Sequence, residues 1–154
     1  MPIPKIRRGV IVNPVNCRGV MGAGFALAVR TAYPAVYSRY LSLCAQCRPE
    51  DLLGSIHLTR VGPELFVCNL FSQLNYGRQG RYADLASIES GLSELTRRLA
   101  SYPLPIHSPP LGCGLGGLDW GEVQPVIERV ASNHPWLEMT IWGIKNDEDK
   151  RNNG

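Results

Sequence analysis

Along the chain, short apolar runs alternate with longer stretches in which apolar residues recur every three or four positions. The run "VIVNPV" (10–15) has the length and composition of a buried strand. The following "GFALAVRTAYPAVYSRYLSLC" (24–44) has helical composition, and Pro34 forces a break or a fresh helix start inside it. "SIHLTRVG" (55–62) alternates as a half-buried strand, and "ELFVCNLFS" (64–72) follows a Gly-Pro turn, which predicts a hairpin. After the polar loop "NYGRQGRY" (75–82), Leu85, Ile88, Leu92, Leu95 and Leu99 fall at helical spacing and predict an amphipathic helix over 83–100. "LPIHSPPLG" (104–112) reads as a strand running into the glycine-rich "GCGLGGLDW" (112–120). Asp119 and Glu122 have capping-box spacing at the start of "WGEVQPVIERVAS" (120–132), and "EMTIWGIK" (138–145) reads as a last strand.

Strands alternating with helices predict an α/β sandwich around a mixed, largely parallel sheet. With 154 residues and no internal repeat or linker, the expectation is one domain over 1–146 followed by a polar tail over 147–154. No stretch reaches the about 18 consecutive apolar residues of a membrane span, and the start lacks the apolar core of a signal peptide. Five cysteines, an odd number, suit free thiols in a cytoplasmic protein, and no membrane partner is expected. "CAQC" (44–47) has no second ligand pair to complete a zinc site, and neither metal nor cofactor is called for.

The net charge of +3 is unevenly spread, since residues 1–49 hold seven basic and no acidic residues. That basic third surrounds "NPVNCRGVMGAGFALAV" (13–29), where Gly19, Gly22 and Gly24 join a strand to a helix. Glycines in that position let backbone N–H groups approach a phosphate beside a helix N-terminus, and a carboxylate there would repel it. The Walker pattern is excluded, because Phe25 and Ala26 stand where it needs Lys and Ser/Thr. The second loop, Gly112-x-Gly114-x-x-Gly117, matches the dinucleotide fingerprint, but fewer than 40 residues follow it, too few for the rest of such a unit. If the two strands feeding these loops are neighbours, the loops form opposite walls of one cleft able to hold a diphosphate.

"VNPVNCRGVMGAGFALAV" (12–29) together with "PPLGCGLGGLDW" (109–120) resembles the macro domain, in the branch that holds the DarG antitoxins and the terminal ADP-ribose glycohydrolases. The resemblance spans about residues 9 to 145. It implies a three-layer α/β/α sandwich that binds ADP-ribose or an ADP-ribosylated protein or nucleic acid. By that likeness Asn16 contacts the distal ribose, although an Asx turn is the alternative reading of an asparagine there. Gly22, Ala23, Gly24 and Phe25 correspond to the first ligand loop. Gly112, Cys113, Gly114, Leu115, Gly116, Gly117 and Leu118 correspond to the second.

Several features of the family pattern are missing. No acid precedes Glu50, so the aspartate that reads adenine in many macro domains is absent. The catalytic lysine of the DarG-like "NFPTK" run is replaced by Gln73 in "NLFSQ" (69–73). Ala26 and Gly116 occupy positions at which other relatives carry catalytic acids. Candidate catalytic residues are therefore Asn16, Gln73 and Asp119, of which Asp119 has the spacing of an N-cap. Tyr76, Arg78 and Arg81 either close over a ligand or form solvated surface.

The expected function is hydrolysis of ADP-ribosyl compounds, as a glycohydrolase on protein or DNA or as an ADP-ribose-1″-phosphate phosphatase. A non-catalytic reader of ADP-ribose is the rival reading. A nucleic-acid-binding module rests only on the basic first third, and 8% aromatic content weakens it.

Overall fold

The computed structural model describes residues 3–143, so the expected polar tail (147–154) lies outside the described residues. The polypeptide forms β1 (Arg8–Asn16), α1 (Gly24–Ala32), α2 (Pro34–Gln46), α3 (Pro49–Leu52), β2 (Ile56–Gly62), β3 (Glu64–Gln73), α4 (Leu85–Leu99), β4 (Ile106–Ser108), α5 (Trp120–Ser132) and β5 (Met139–Ile141). Pro34 ends one helix and starts the next, as its missing N–H and fixed φ require. Asp84 caps α4 by accepting the Ser87 amide at 3.1 Å.

The five strands lie in the order β2-β3-β1-β4-β5. β1 is parallel to both β3 and β4, β4 is parallel to β5, and β2 returns antiparallel on β3 as the expected hairpin. β1 is therefore central and nearly wholly buried, which explains why its sequence is a continuous apolar run rather than an alternation.

Strand alternation distributes the core between two helical layers. Val10, Val12, Cys68, Leu70 and Ile106 face α4 and α5, where they meet Ile88, Leu92, Leu95, Val123 and Val130. Ile11 and Val67 face the other way, onto Val29 of α1 and Val36 of α2. Val15 and Phe71 do the same against Tyr40. Burying such side chains contributes roughly 1.5–3 kcal/mol each, and both layers depend on it. In the sheet interior Asn13 donates to Asn69 Oδ1 at 2.9 Å, a bond that pins β1 to β3 in register.

The chain departs from the expected elements at its right-hand strands. β4 pairs over only three residues, because Pro103, Pro105, Pro109 and Pro110 flank it and cannot donate to a ladder. β5 is also three residues long, and residues 144 and 145 of the expected strand lie outside the described residues. The one-turn α3 is an addition, nucleated by Pro49 and an Arg48–Asp51 ion pair.

Candidate functional site

β1 and β4 are neighbours and parallel, so the loops that follow them leave the same end of the sheet side by side. Between them lies a cleft of about 680 Å³. The first loop supplies Gly22, Ala23, Gly24 and Phe25, and the second supplies Gly112, Cys113, Gly114, Leu115 and Gly116. Asn16 and Gln73, at the ends of adjacent strands β1 and β3, form its floor.

The first loop is knotted to the body by a tyrosine. Tyr40, fully buried on α2, accepts the Gly19 and Val20 amides at 3.1 Å each. Its hydroxyl hydrogen faces Asn16 O at 2.7 Å and Asn16 Oδ1 at 2.8 Å. Burial, its largest cause, pushes the phenol's pKa up, so the hydroxyl stays protonated. Asn16 completes the knot, with Oδ1 accepting the Arg18 amide at 2.9 Å and Nδ2 donating to Val20 O at 2.7 Å. Asn16 is thus an Asx-turn opener that also lines the cleft, and its Nδ2 retains a second hydrogen for a ligand.

α1 begins within the cleft. Its N-cap is Ala23, no side chain caps it, and its first turn carries no acid, so the leading amides are left for an anion. Gly22 has neither a left-handed φ nor a crowding neighbour, as an added Cβ would come no nearer than 3.5 Å to Val20. The fold does not require glycine there; the open space of the cleft is what a side chain would occupy. Gly116 is the opposite case, since a Cβ would lie 2.6 Å from the Gly112 carbonyl oxygen.

A third wall comes from the polar loop after β3. Tyr82 and Ala83 donate to Gly116 O at 2.8 and 2.9 Å, and Arg81 pairs with Glu122 at 2.6 Å. These ties bring Tyr76, Gly77 and Arg78 onto the cleft. At the far end Phe25 meets Trp142 with ring centroids 5.7 Å apart, and His107 stacks on the same indole at 6.1 Å.

Three expected residues lie off the cleft. Leu118 is buried in the α4–α5 core, and its amide donates to Gly112 O at 2.9 Å. Gly117 is packed under Gly80 O, where a Cβ would sit at 2.2 Å. Asp119 opens α5 as its N-cap, with its amide donating to Glu122 Oε2 at 3.1 Å. Of the residues not assigned from sequence, Tyr76 and Arg78 had a signal in their glycine-containing polar loop. Tyr40 had none, because at four residues from Val36 it reads as an ordinary buried helix position.

The chemistry within reach is narrow. Among the described residues that line the cleft there is no carboxylate, lysine or histidine. Cys113 is the one thiol there, and burial followed by the Asp119 and Glu122 charges pushes its pKa up, away from the nucleophilic thiolate. Cys17, buried behind the first loop, is pushed up to about 11 for the same leading reason. Gln73 Nε2 donates to Asn75 O at 2.7 Å, which orients its amide at the cleft floor.

A family model for the Macro domain matches residues 12–127, most of the chain and all of the glycine loops. The chain belongs to the macro domain family. Curated relatives include the DNA ADP-ribosyl glycohydrolase of Mycobacterium tuberculosis, 30% identical over 86% of this chain. The macro domain described here spans only 37% of that relative's length. The ADP-ribose 1″-phosphate phosphatase of Scheffersomyces stipitis is 23% identical, with 84% of this chain and 87% of the relative covered. Among solved structures, the macrodomain of Mycobacterium tuberculosis DarG superposes with a TM-score of 0.77 at 28% identity, covering 89% of this chain and 90% of that one. These likenesses agree with the DarG-like branch read from the two glycine loops, and the sheet with its two helical layers is the macro domain fold.

Proposed function

We propose that this macro domain binds ADP-ribose in the cleft between its two glycine loops and hydrolyses ADP-ribosyl compounds without a protein base. The observation that carries the reading is the cleft itself. Two strand-to-helix loops, from neighbouring parallel strands, oppose their glycines across a space with an uncapped helix N-terminus and, among the described residues, no carboxylate. Backbone amides of Gly22 to Phe25 and of Gly112 to Gly116 hold the diphosphate. The base lies toward the apolar end at Phe25, Pro109 and Pro110, and the distal ribose lies toward Asn16 and Gln73.

Cleavage at the ribose anomeric carbon passes through an oxocarbenium-like centre, for which holding the sugar and a water in place is the main requirement. Asn16 and Gln73 supply hydrogen bonds for that purpose, and a substrate phosphate orients the water. The mycobacterial and yeast relatives named above support both the glycosidic and the phosphate-ester substrates as candidates. One observation favours a non-catalytic reader instead, namely that the described residues lining the cleft include no carboxylate, lysine or histidine to act as a base. Asp119 is retained as a candidate only at a distance, since its place is the α5 cap.

Incubating the protein with ADP-ribosylated protein, ADP-ribosylated DNA and ADP-ribose-1″-phosphate, followed by chromatography of released ADP-ribose, decides the matter. Turnover of any one establishes the hydrolase. No turnover of all three, with ADP-ribose still bound, establishes the reader. We place the protein in the cytoplasm on its five free thiols; among the described residues no helix is long and apolar enough to cross a membrane.

A further inference from the structure

The third wall of the cleft is a loop wrapped around one side chain. In "NYGRQGRY" (75–82), Gly77 and Gly80 stand on either side of Arg78 and Gln79. Gly80 has a φ of +128°, which accounts for glycine at that position. Gly77 meets no such backbone demand, yet it has no room for a side chain. A Cβ there would meet the Tyr82 ring, 3.0 Å from Cε2 and nearer still to the hydroxyl. A Cβ on Gly80 would touch the same ring, 3.4 Å from Cζ and from the hydroxyl oxygen. The hydroxyl itself donates to Gln79 O at 2.5 Å, between the two glycines. Residues 77–80 are thus folded over the end of Tyr82 as over a post.

The same residue holds the second glycine loop. The Tyr82 amide donates to Gly116 O at 2.8 Å, and Gly116 lines the cleft. Beside it, a Cβ on Gly117 would lie 2.9 Å from Arg81 Cα, so the two loops touch backbone to backbone. The other side-chain ties of the third wall lie at its two ends. Asn75 accepts Gln73 Nε2 and Arg18 Nε, at 2.7 and 2.9 Å, and Arg81 pairs with Glu122. The Arg81–Glu122 pair is solvent-exposed and holds the loop only weakly. Among the described residues, the bond from Tyr82 is the one side-chain hydrogen bond to residues 77–80.

Tyr76, Gly77 and Arg78, which line the cleft, lie at the start of the wrapped segment. Arg78 is the only charged side chain among the described residues of the lining, and it has no carboxylate partner among them. A loop with two glycines loses much conformational entropy when it orders around a ligand, and an arginine on it loses more. A post that orders the loop beforehand removes that cost from the binding step.

We infer that Tyr82 is a positioning residue, which fixes the third wall against the second glycine loop and holds Arg78 ready for an anionic ligand. It is not part of the cleft lining and acts through Arg78 and Tyr76. The inference rests on the proposed binding of ADP-ribose in this cleft and adds to it the residue that preorganises one wall.

The test titrates ADP-ribose calorimetrically into the whole protein and its variants at two ionic strengths. Tyr82→Ala should weaken binding on the order of tenfold, the scale of one charge-assisted hydrogen bond. Its circular dichroism spectrum and melting temperature should stay native, since Tyr82 is only half-buried and its backbone bond to Gly116 remains. Added salt should weaken binding less in Tyr82→Ala than in the unmodified protein, as it should in Arg78→Ala, because the same charge has left the site. The double variant should bind within about twofold of the weaker single variant, since the two residues act as a unit. Tyr82→Phe keeps the ring and should stay within about threefold of the unmodified protein. Gly77→Ala leaves Tyr82 in place but crowds its ring, and should weaken binding with the same loss of salt dependence. It decides the matter if Tyr82→Ala fails to fold. Unchanged affinity or unchanged salt dependence in a natively folded Tyr82→Ala, or in Gly77→Ala, overturns the inference. So do losses that multiply in the double variant, or a Tyr82→Phe as weak as Tyr82→Ala. No binding of ADP-ribose to the unmodified protein would instead overturn the proposed function.

Discussion

At the scale of single residues, Tyr40 and Asn16 determine the shape of the first loop. A tyrosine hydroxyl that accepts two backbone amides and faces two oxygens of Asn16 serves four polar groups, of which Asn16 Oδ1 also accepts the Arg18 amide. Tyr40→Phe should therefore cost about 1–3 kcal/mol of stability, the expense of unsatisfied buried polar groups, and should also weaken ADP-ribose binding by loosening the loop. Thermal melts and calorimetry on the same variant check both, and an unchanged affinity would mean that the loop is held without the knot. Gln73 poses a different question. Its amide cannot form a Schiff base, so borohydride should trap no adduct with an ADP-ribosylated substrate, whereas Gln73→Lys restores the amine that the resemblance implies there. Mass spectrometry of borohydride-treated samples reads this directly. The glycine loops were legible in the sequence because glycine spacing is itself the signal. The knot was not, because nothing local separates a tyrosine buried as core from one buried as a hydrogen-bonding post.

At the scale of elements, boundaries follow the strength of the local signal. α5 begins and ends where its capping box and apolar spacing place it, and the hairpin β2–β3 turns at Gly62 and Pro63 as expected. β4 and β5 are shorter than the apolar runs suggest, since prolines and the sheet's edge limit ladder formation more than apolar content does. Strand order was open in the sequence, yet it is what makes two loops into one cleft. Packing between elements yields a sharp test at Gly91, where α4 crosses β3. An added Cβ would lie 2.5 Å from Leu70 Cγ, so Gly91→Ala should destabilise by about 1–3 kcal/mol despite alanine's better helix propensity. Chemical denaturation measures it, and a stabilised variant would show that α4 can move off the sheet without cost. Asp119→Ala should cost about 1 kcal/mol through the lost cap and leave ADP-ribose affinity unchanged. The sheet also carries a pH response. Burial, the leading cause at both, holds the imidazoles of His57 and His107 below their usual pKa, with Arg39 and Arg98 adding to it at His57. Their contribution is present above the unfolded value of about 6.5 and is lost as pH falls through it toward the lowered folded values. The melting temperature should therefore decline from pH 7.5 to 5.5, with a shallower slope in a His57→Gln, His107→Gln double variant.

For the whole molecule, a central parallel strand and two glycine loops combine into one cleft at a single sheet end, whose lining among the described residues holds Arg78 as its one charged side chain and none of the basic residues of the first third. The family pattern was readable from the chain, and the departures from it, at Gln73, Ala26 and Gly116, set the limits on the chemistry. The most direct test of the central claim is an ADP-ribose titration, followed by calorimetry, of the unmodified protein and of Gly22→Glu. Nothing in the fold requires glycine at position 22, so glutamate there should leave the circular dichroism spectrum and melting point native. Its side chain would fill the diphosphate's space and oppose its charge. The account predicts saturable heat and a raised melting temperature with the unmodified protein, and neither with the variant. No heat at millimolar ADP-ribose, or an equal affinity in a natively folded Gly22→Glu, would contradict it.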